Sequence, residues 1–184
     1  MPRTRTELDR EEKVAEILRV AERRLLEGGF EALSMAGIAR DLGLAQNAIY
    51  WYFPSRGHLF VGVLQRILQQ IGARKPRGKV DVGERILWFT DQFASLYALR
   101  PAMQEQARGS PVVADFVKDL DNLLERMLSN AFRARVPEDQ LSIAVESFRA
   151  TVTGAYAQGL SRRRRRELLA FVLKRLLGSP NPRM

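Results

Sequence analysis

The sequence contains no cysteine and only one histidine, His58. The absence of thiols excludes a disulfide framework, an iron–sulfur cluster and a cysteine nucleophile, and one histidine cannot build a multi-histidine zinc site. We find no glycine-rich phosphate loop and no pair of carboxylates placed for acid–base catalysis. We therefore expect a protein that is not an enzyme and that carries neither a metal ion nor an organic cofactor.

Long apolar runs are also missing from the sequence. No stretch approaches the ~18 residues that cross a bilayer, and the N-terminal residues enter a charged helical pattern instead of a signal-peptide core. We therefore expect a cytoplasmic protein that does not bind a membrane. Of its 184 residues, 46% are hydrophobic, which is enough for a domain with its own core and a small added module.

The net charge is +9, but the positive excess is confined to two segments. Residues 1–60 carry as many basic as acidic side chains, and residues 81–160 are slightly acidic. Residues 61–80 carry five basic side chains and no acidic one, and residues 161–184 carry eight basic and one acidic. Net charge alone therefore does not establish nucleic-acid binding, which has to follow from the placement of particular residues.

Apolar residues recur at helical spacing along nearly the whole chain, and no segment alternates with the two-residue period of a strand. The predicted fold class is therefore all-α. Prolines at 101, 111 and 137 are expected to break helices. The predicted helices cover about 7–27, 35–42, 45–53, 55–73, 82–99, 101–108, 112–134, 138–158 and 163–177.

Two of the short predicted helices meet at a glycine turn, which is the pattern of a helix-turn-helix. Ser34 is placed to cap the first helix, and Gly43 supplies the tight turn. Leu44, Ile49 and Phe53 are expected to anchor the second helix to the core, which leaves polar and aromatic positions to face a partner. Glutamine and asparagine pair with adenine in the major groove, and a small apolar side chain fits the thymine methyl group.

The segment around this turn resembles the DNA-binding domain of the tetracycline-repressor (TetR) family. The resemblance covers about residues 10–60. Two positions depart from the family pattern: Ala45 stands where a serine usually caps the recognition helix, and Gly57 stands where a charged residue is common. The matching residues are Ala39, Gly43-Leu44, Ile49-Tyr50-Trp51-Tyr52-Phe53-Pro54-Ser55-Arg56 and Leu59.

Carried over position by position, the resemblance implies two kinds of DNA contact. The residues implied to read bases are Gln46, Asn47 and Ala48. The residues implied to contact phosphates are Ser34, Tyr50, Tyr52 and Arg56. Trp51 lies at a position that the family uses variably, so that DNA contact and packing are equally open for it.

The resemblance also implies a division of the chain. The predicted parts are a three-helix helix-turn-helix DNA-binding domain at 1–55, a connecting helix and linker at 56–80, and a helical ligand-binding and dimerisation domain at 81–184. In the resembled family the last two long helices pair with their symmetry mates, and a twofold dimer matches a palindromic operator. The predicted dimer interface consists of Leu141, Val145, Phe148, Val152, Leu169, Val172, Leu173 and Leu176.

By the same resemblance, large apolar side chains of the C-terminal part are expected to surround an effector pocket. The candidates are Trp88, Phe89, Phe93, Tyr97, Met103 and Phe116, for each of which an ordinary core position is the alternative. The expected effector is an apolar or aromatic small molecule, since a metal-chelated one would need more histidines.

The function implied is that of a transcriptional regulator. It would be a ligand-responsive repressor that binds a palindromic operator in double-stranded DNA as a homodimer and releases it when a small molecule binds. Two alternatives are a helical protein-interaction module and an architectural DNA-binding protein without an effector. The first would carry apolar anchors on the exposed face of the recognition helix.

The run Arg162–Arg166 needs an explanation of its own, because cations at a helix N-terminus oppose the helix dipole. One interpretation is a solvated first turn in which Arg163 pairs with Glu167. A second is contact with acidic residues of this chain or of a dimer partner. The acidic candidates are Asp115, Asp119, Asp121 and Glu125.

Overall fold

The structure, a computed structural model, describes residues 5–76 and 78–178. These residues form helices and connecting turns and no strand, which confirms the all-α fold class. None of the described helices is long and apolar enough to cross a bilayer. The α-helices are α1 (Arg5–Gly28), α2 (Met35–Asp41), α3 (Arg56–Ala73), α4 (Val82–Gln92), α5 (Ala94–Ala107), α6 (Pro111–Phe132), α7 (Leu141–Ala157) and α8 (Arg162–Leu177). Short 3₁₀-helices cover Phe30–Ala32, Gln46–Trp51 and Glu138–Gln140.

The described chain divides into two compact units. The first contains the residues up to Gln70 together with Leu99–Val117, and the second contains Ile71–Ala98 and the residues from Lys118 onward. The first unit thus holds α1, α2 and most of α3. The domain boundaries expected at residues 55 and 80 stay a prediction.

The break between α4 and α5 differs from the sequence prediction. The predicted break at Pro101 was wrong, because α4 ends at Gln92 and Pro101 lies inside α5. The carbonyl of Thr90, near the end of α4, accepts a hydrogen bond of 2.8 Å from the hydroxyl of Tyr156. This contact joins residues far apart in sequence and stabilises the end of α4, which local proline signals do not reveal.

The residues predicted to form a dimer interface lie mostly inside the core of the second unit. Six of them are buried in the core of a single chain, and their role in a dimer stays a prediction: Leu141, Val145, Phe148, Val152, Leu169 and Leu173. Val172 and Leu176 are half-buried against the same core. Helices α7 and α8 need these side chains to pack on each other and on α4. The large apolar side chains that remain exposed on the two helices are Ile143 and Phe171, each 60% exposed.

The arginine run at the start of α8 is engaged mainly with acidic side chains. Arg163 pairs with Glu167 at 2.9 Å, as one interpretation expected. Arg166 pairs with Glu84 at 2.6 Å, and both Arg166 and Arg162 reach Asp91. Glu84 and Asp91 lie on α4, and α8 reaches them because it packs against α4.

Within the chain, two of the acidic candidates on α6 pair with an arginine outside the run. Asp121 and Glu125 pair with Arg149 of α7, at 3.0 and 3.4 Å. The reason is packing, since α7 presents its arginine to α6 while the first turn of α8 faces α4. Ion pairs at the surface contribute little stability each, and the pair of Arg149 with Asp121 is only partly buried.

Candidate nucleic-acid interface

The predicted helix-turn-helix consists of α2, a glycine turn and the 3₁₀-helix Gln46–Trp51, called the recognition segment below. The hydroxyl of Ser34 accepts a hydrogen bond of 3.2 Å from the amide of Gly37, which confirms its predicted role as the cap of α2. Gly43 adopts a φ of 64°, where a side chain would be strained. The amide of Leu44 then donates to the carbonyl of Ala39 at 2.9 Å. The turn is therefore held by backbone contacts.

The recognition segment is shorter and tighter than the α-helix predicted over 45–53. Ala45 stands at its N-cap position and supplies no side-chain acceptor. Hydrogen bonds of the 3₁₀ type close the segment instead, such as that from the amide of Ala48 to the carbonyl of Ala45 at 2.9 Å. Ile49 is fully buried and Phe53 is 8% exposed, so these two predicted anchors reach the core, while the third, Leu44, is half-buried.

The outer face of the recognition segment is aromatic and exposed. Trp51 is 84% exposed and Tyr50 is 50% exposed, while Asn47 is exposed as well. Ala48 and Tyr52 are half-buried. The side chain of Gln46 lies outside the described part of the structure. The sequence contains no aspartate or glutamate between residues 42 and 80, so no acidic side chain of this stretch would repel a phosphate backbone.

Helix α2 is fixed to α1 by a bidentate ion pair that the sequence did not predict. The guanidinium of Arg24 donates to the two carboxylate oxygens of Asp41 at 2.8 and 2.9 Å. It also covers Gly37, where a Cβ atom would come within 2.8 Å of Arg24 Nη1. The hydrogen bonds from Arg24 hold the pKa of Asp41 below its ordinary value. This clamp orients α2, which supports the recognition segment.

The lowered pKa of Asp41 predicts a loss of stability in acid. The pKa of this carboxyl group is lower in the folded state than in the unfolded state. The contribution of the ion pair to the free energy of unfolding is therefore complete above about pH 4, and it is lost as the pH falls through the folded-state pKa. We expect Asp41→Asn to be less stable than the parent at pH 7 and to approach the parent as the pH falls below 4. Urea unfolding of both proteins from pH 7 to pH 2.5 measures this difference. A gap that stays constant over that range would contradict the clamp.

Arg56, implied to contact a phosphate, is already engaged inside the first unit. Its Nε donates to the carbonyl of Leu33 at 3.1 Å, and its Nη2 donates to the carbonyl of Phe30. The guanidinium also stands over the Phe30 ring, 3.9 Å from the centroid. Arg56 thereby joins the start of α3 to the loop that precedes α2. The sequence pattern gave no signal for this role, and the phosphate contact stays a prediction.

Gly57, the second departure from the family pattern, has a steric explanation. A Cβ atom at this position would lie 2.5 Å from the hydroxyl oxygen of Ser110 and 3.4 Å from Val112 Cγ1. All three residues belong to the first unit. The charged residue common in the family would therefore need Ser110 to move.

The candidates for an effector pocket fall in both units. In the second unit Trp88 and Phe89 meet edge to face at 4.9 Å, and Phe93 lies 6.4 Å from Phe89. Tyr97 stacks on Tyr156 with ring centroids 4.4 Å apart. The other two candidates, Met103 and Phe116, are buried in the first unit. Within the described residues, no group of three histidine, aspartate or glutamate side chains could hold a metal ion.

Comparison with known proteins supports this description of the helix-turn-helix. Residues 17–63 match the family model of bacterial regulatory proteins, tetR family. The HTH-type transcriptional repressor KstR of Rhodococcus jostii (strain RHA1) is 30% identical over 125 residues, which cover 64% of this chain and 58% of that protein. KstR of Mycobacterium tuberculosis (strain ATCC 25618 / H37Rv) is 29% identical over 126 residues, covering 64% and 57%. The chain thus spans less than two thirds of these relatives, which are named as repressors and not as enzymes.

Solved structures share the fold over nearly the whole chain. A transcriptional regulator from Rhodococcus sp. Rha1 has a TM-score of 0.74 at 15% identity, covering 90% of this chain and 96% of that one. A regulator from Saccharomonospora viridis in complex with choline has a TM-score of 0.76 at 17% identity, covering 89% and 96%. At these identities the likeness establishes the fold alone. Together with the match over residues 17–63, it leads to one conclusion: the helix-turn-helix segment is similar to that of bacterial regulatory proteins of the tetR family, and the chain shares its fold with solved transcriptional regulators.

Proposed function

We propose that this protein is a transcriptional repressor that binds a palindromic DNA operator as a homodimer and releases it when a small molecule binds. The observation that carries the proposal is the exposed outer face of the recognition segment, where Trp51 and Tyr50 lie beside Asn47. Exposed aromatic surface calls for a partner of either kind, and the hydroxyl of Tyr50, the amide of Asn47 and the lack of aspartate and glutamate between residues 42 and 80 favour DNA over a protein. A face that combines an amide with aromatic rings fits the edges and backbone of a major groove.

We assign the DNA contacts by chemistry. The residues proposed to read bases are Gln46, Asn47 and Ala48, and those proposed to contact phosphates through hydroxyl groups are Ser34, Tyr50 and Tyr52. Trp51, left open between packing and DNA contact, is assigned to DNA because its side chain is 84% exposed. Arg56 is assigned to holding α3 and the preceding loop together, with any phosphate contact secondary.

The homodimer is proposed to form through the outer faces of α7 and α8. These faces carry Ile143 and Phe171, whose exposure leaves apolar area for a second copy to cover. A twofold dimer presents two recognition segments to the two halves of a palindrome. The proposed interface thus lies on α7 and α8, as the sequence indicated, but Ile143 and Phe171 face the partner in place of the predicted residues.

The effector is proposed to be a small apolar or aromatic molecule bound in the ligand-binding domain, residues 81–184. The aromatic group Trp88, Phe89 and Phe93 of the second unit supports this assignment, because such side chains line most ligand pockets. The regulator from Saccharomonospora viridis, which shares the fold, was solved with choline. Binding would favour a state in which the helix-turn-helix domain, residues 1–55, no longer matches the operator.

The proposal is tested by selecting bound sequences from a random duplex pool at two salt concentrations. Enrichment of a palindrome with half-sites about one helical turn or more apart supports a dimeric operator-binding protein. Retention that is salt-sensitive but enriches no sequence points to an architectural protein bound by charge. No retention at low salt overturns DNA binding and favours the helical protein-interaction module.

The assigned contacts predict two different mutant phenotypes. Asn47→Ala should cost about tenfold to a hundredfold on the selected operator and change the preferred base, since a bidentate amide contributes discrimination. Tyr50→Phe should weaken binding severalfold on every sequence, because a phosphate contact carries no base information. Fluorescence anisotropy on the operator and on a scrambled duplex measures both.

The matched control is Asn122→Ala, which removes an exposed asparagine of α6 from the second unit. We expect it to bind both duplexes like the parent. If Asn47→Ala also binds both duplexes like the parent, the recognition segment does not read bases through this residue.

A further inference from the structure

The second unit contains a cleft that neither the proposed DNA contacts nor the aromatic group uses. It lies between the start of α4, the turn that follows α6 and the C-terminal half of α8, and we call it the α4–α8 cleft. Its volume is about 280 Å³, room for roughly nine groups the size of a water molecule. Its lining combines apolar side chains with two acidic and two basic ones.

The floor of the cleft is apolar. Leu87 of α4 and Leu173 and Leu177 of α8 are buried, with exposed fractions of 5%, 3% and 9%. Val82 and Ala170 are half-buried beside them. An apolar chain that enters the cleft would therefore exchange water for methyl and methylene groups, which is favourable in proportion to the area covered.

The lining carries two acidic and two basic side chains, and the acidic ones already have partners. A carboxylate oxygen of Asp81 accepts hydrogen bonds from the amides of Gly83 and Glu84 at 2.8 and 3.3 Å, so it caps α4. The carboxylate of Glu84 is paired with Arg166 at 2.6 Å. Both acidic side chains of the lining are thus engaged with groups of their own unit.

The two basic side chains of the lining are exposed, and the described residues give neither of them an ion-pair partner. They are Arg135, in the turn after α6, and Lys174, in the last turn of α8. Lys174 is well placed to offset the negative end of the α8 dipole. That interaction leaves its ammonium group exposed and free to bind an anion.

We propose that the α4–α8 cleft binds an amphipathic anion: a carboxylate on an unbranched alkyl chain of about eight carbons. The carboxylate would lie between Arg135 and Lys174, and the chain would lie on the floor formed by Leu87, Leu173 and Leu177. Charge complementarity at the rim and apolar area at the floor select this chemistry together. A cationic ligand would not pair with the basic side chains at the rim, and a purely polar ligand would not cover the apolar floor. The proposal does not depend on DNA binding by the protein.

The test is calorimetric titration of the full chain with sodium octanoate at low salt, with octanamide as the uncharged match. We expect one octanoate per chain and binding at least tenfold weaker for octanamide. Across butanoate, hexanoate and octanoate, affinity should rise about fourfold for each methylene group that enters the cleft. Equal binding of octanoate and octanamide, no dependence on chain length, or no binding at millimolar concentration would each overturn the proposal.

Variants locate the binding. Arg135→Gln combined with Lys174→Gln should weaken octanoate binding by tenfold or more, to the level of octanamide, while Arg126→Gln, which removes an exposed cation of α6 outside the cleft, should leave it unchanged. Ala170→Phe should fill the cleft and abolish binding of both probes. Because Arg135 and Lys174 are exposed, their replacement is expected to keep the fold, which the thermal midpoint checks. Parent-like octanoate binding by the double variant would contradict the site.

Discussion

The double variant Ile143→Glu and Phe171→Glu is expected to be monomeric and to bind the operator at least a hundredfold more weakly than the parent. Both side chains are 60% exposed on the outer faces of α7 and α8. In a twofold interface each new carboxylate would be desolvated without a partner, and equivalent charges would approach across the axis. A monomer reads one half-site, so it loses the effective concentration that links two half-sites, about 10²–10⁴-fold.

Sedimentation velocity and operator titration of the same preparation measure the two halves of this prediction. Leu123→Glu is the matched control, since it places the same charge on an exposed apolar position of α6, 38% exposed. We expect the control to stay dimeric and to bind like the parent. If the double variant stays dimeric and keeps parent-like affinity, the interface lies elsewhere on the chain. A monomer with parent-like affinity would instead separate DNA binding from dimerisation.

The helix-turn-helix was predictable because its determinants are local. A capping serine, a glycine turn and two apolar anchors lie within twenty residues, and each acts on its neighbours in sequence. The structure agrees for Ser34, Gly43, Ile49 and Phe53. The missing cap at Ala45 was indicated by the resemblance to the family pattern, which did not predict that the segment would tighten into a 3₁₀-helix.

The boundary between α4 and α5 was not predictable from the proline positions, and a tertiary contact lies near the end of α4. Proline suggested a break at residue 101, yet Pro101 lies within α5. The hydroxyl that stabilises the end of α4 belongs to Tyr156, 66 residues away from its acceptor Thr90. No spacing rule connects two such positions, and only packing of α7 against α4 brings them together.

The wide apolar stripes of α7 and α8 were interpreted as a dimer interface, which stays a prediction, and they could not show which of their side chains the chain buries by itself. A stripe records that side chains are buried and does not distinguish burial in the same chain from burial by a partner. In the structure Phe148 and Leu173 belong to the core of the unit, while Ile143 and Phe171 stay outside. Residues of α4 belong to the same core as the buried side chains of α7 and α8, so the faces that pack toward α4 are the buried ones.

The contacts of Arg56 within the protein could not be predicted from the sequence either. A motif position indicates a residue type, but it does not indicate which groups that residue contacts in the absence of DNA. Arg56→Ala is expected to destabilise the protein by about 2–3 kcal/mol, from charged hydrogen bonds to two loop carbonyls and a cation–π contact. For a chain of this length that corresponds to a fall of roughly 5–10 °C in the thermal midpoint. Arg108→Ala, which removes an exposed arginine of the same unit, should change the midpoint little.

Arg56→Lys separates the two roles of this residue. A lysine keeps the positive charge that a phosphate needs, but it lacks the planar fork that reaches the carbonyls of Phe30 and Leu33 together and covers the Phe30 ring. If Arg56 mainly joins α3 to the loop, the lysine variant should lose most of the stability that the alanine variant loses. Its operator affinity, corrected for the folded fraction, should then remain close to that of the parent.

The opposite outcome would assign Arg56 to the phosphate backbone. In that case the lysine variant keeps the parent's thermal midpoint, and the alanine variant loses affinity for every duplex with a shallower salt dependence. The orientation of the helix-turn-helix would then have to rest on the pair between Arg24 and Asp41.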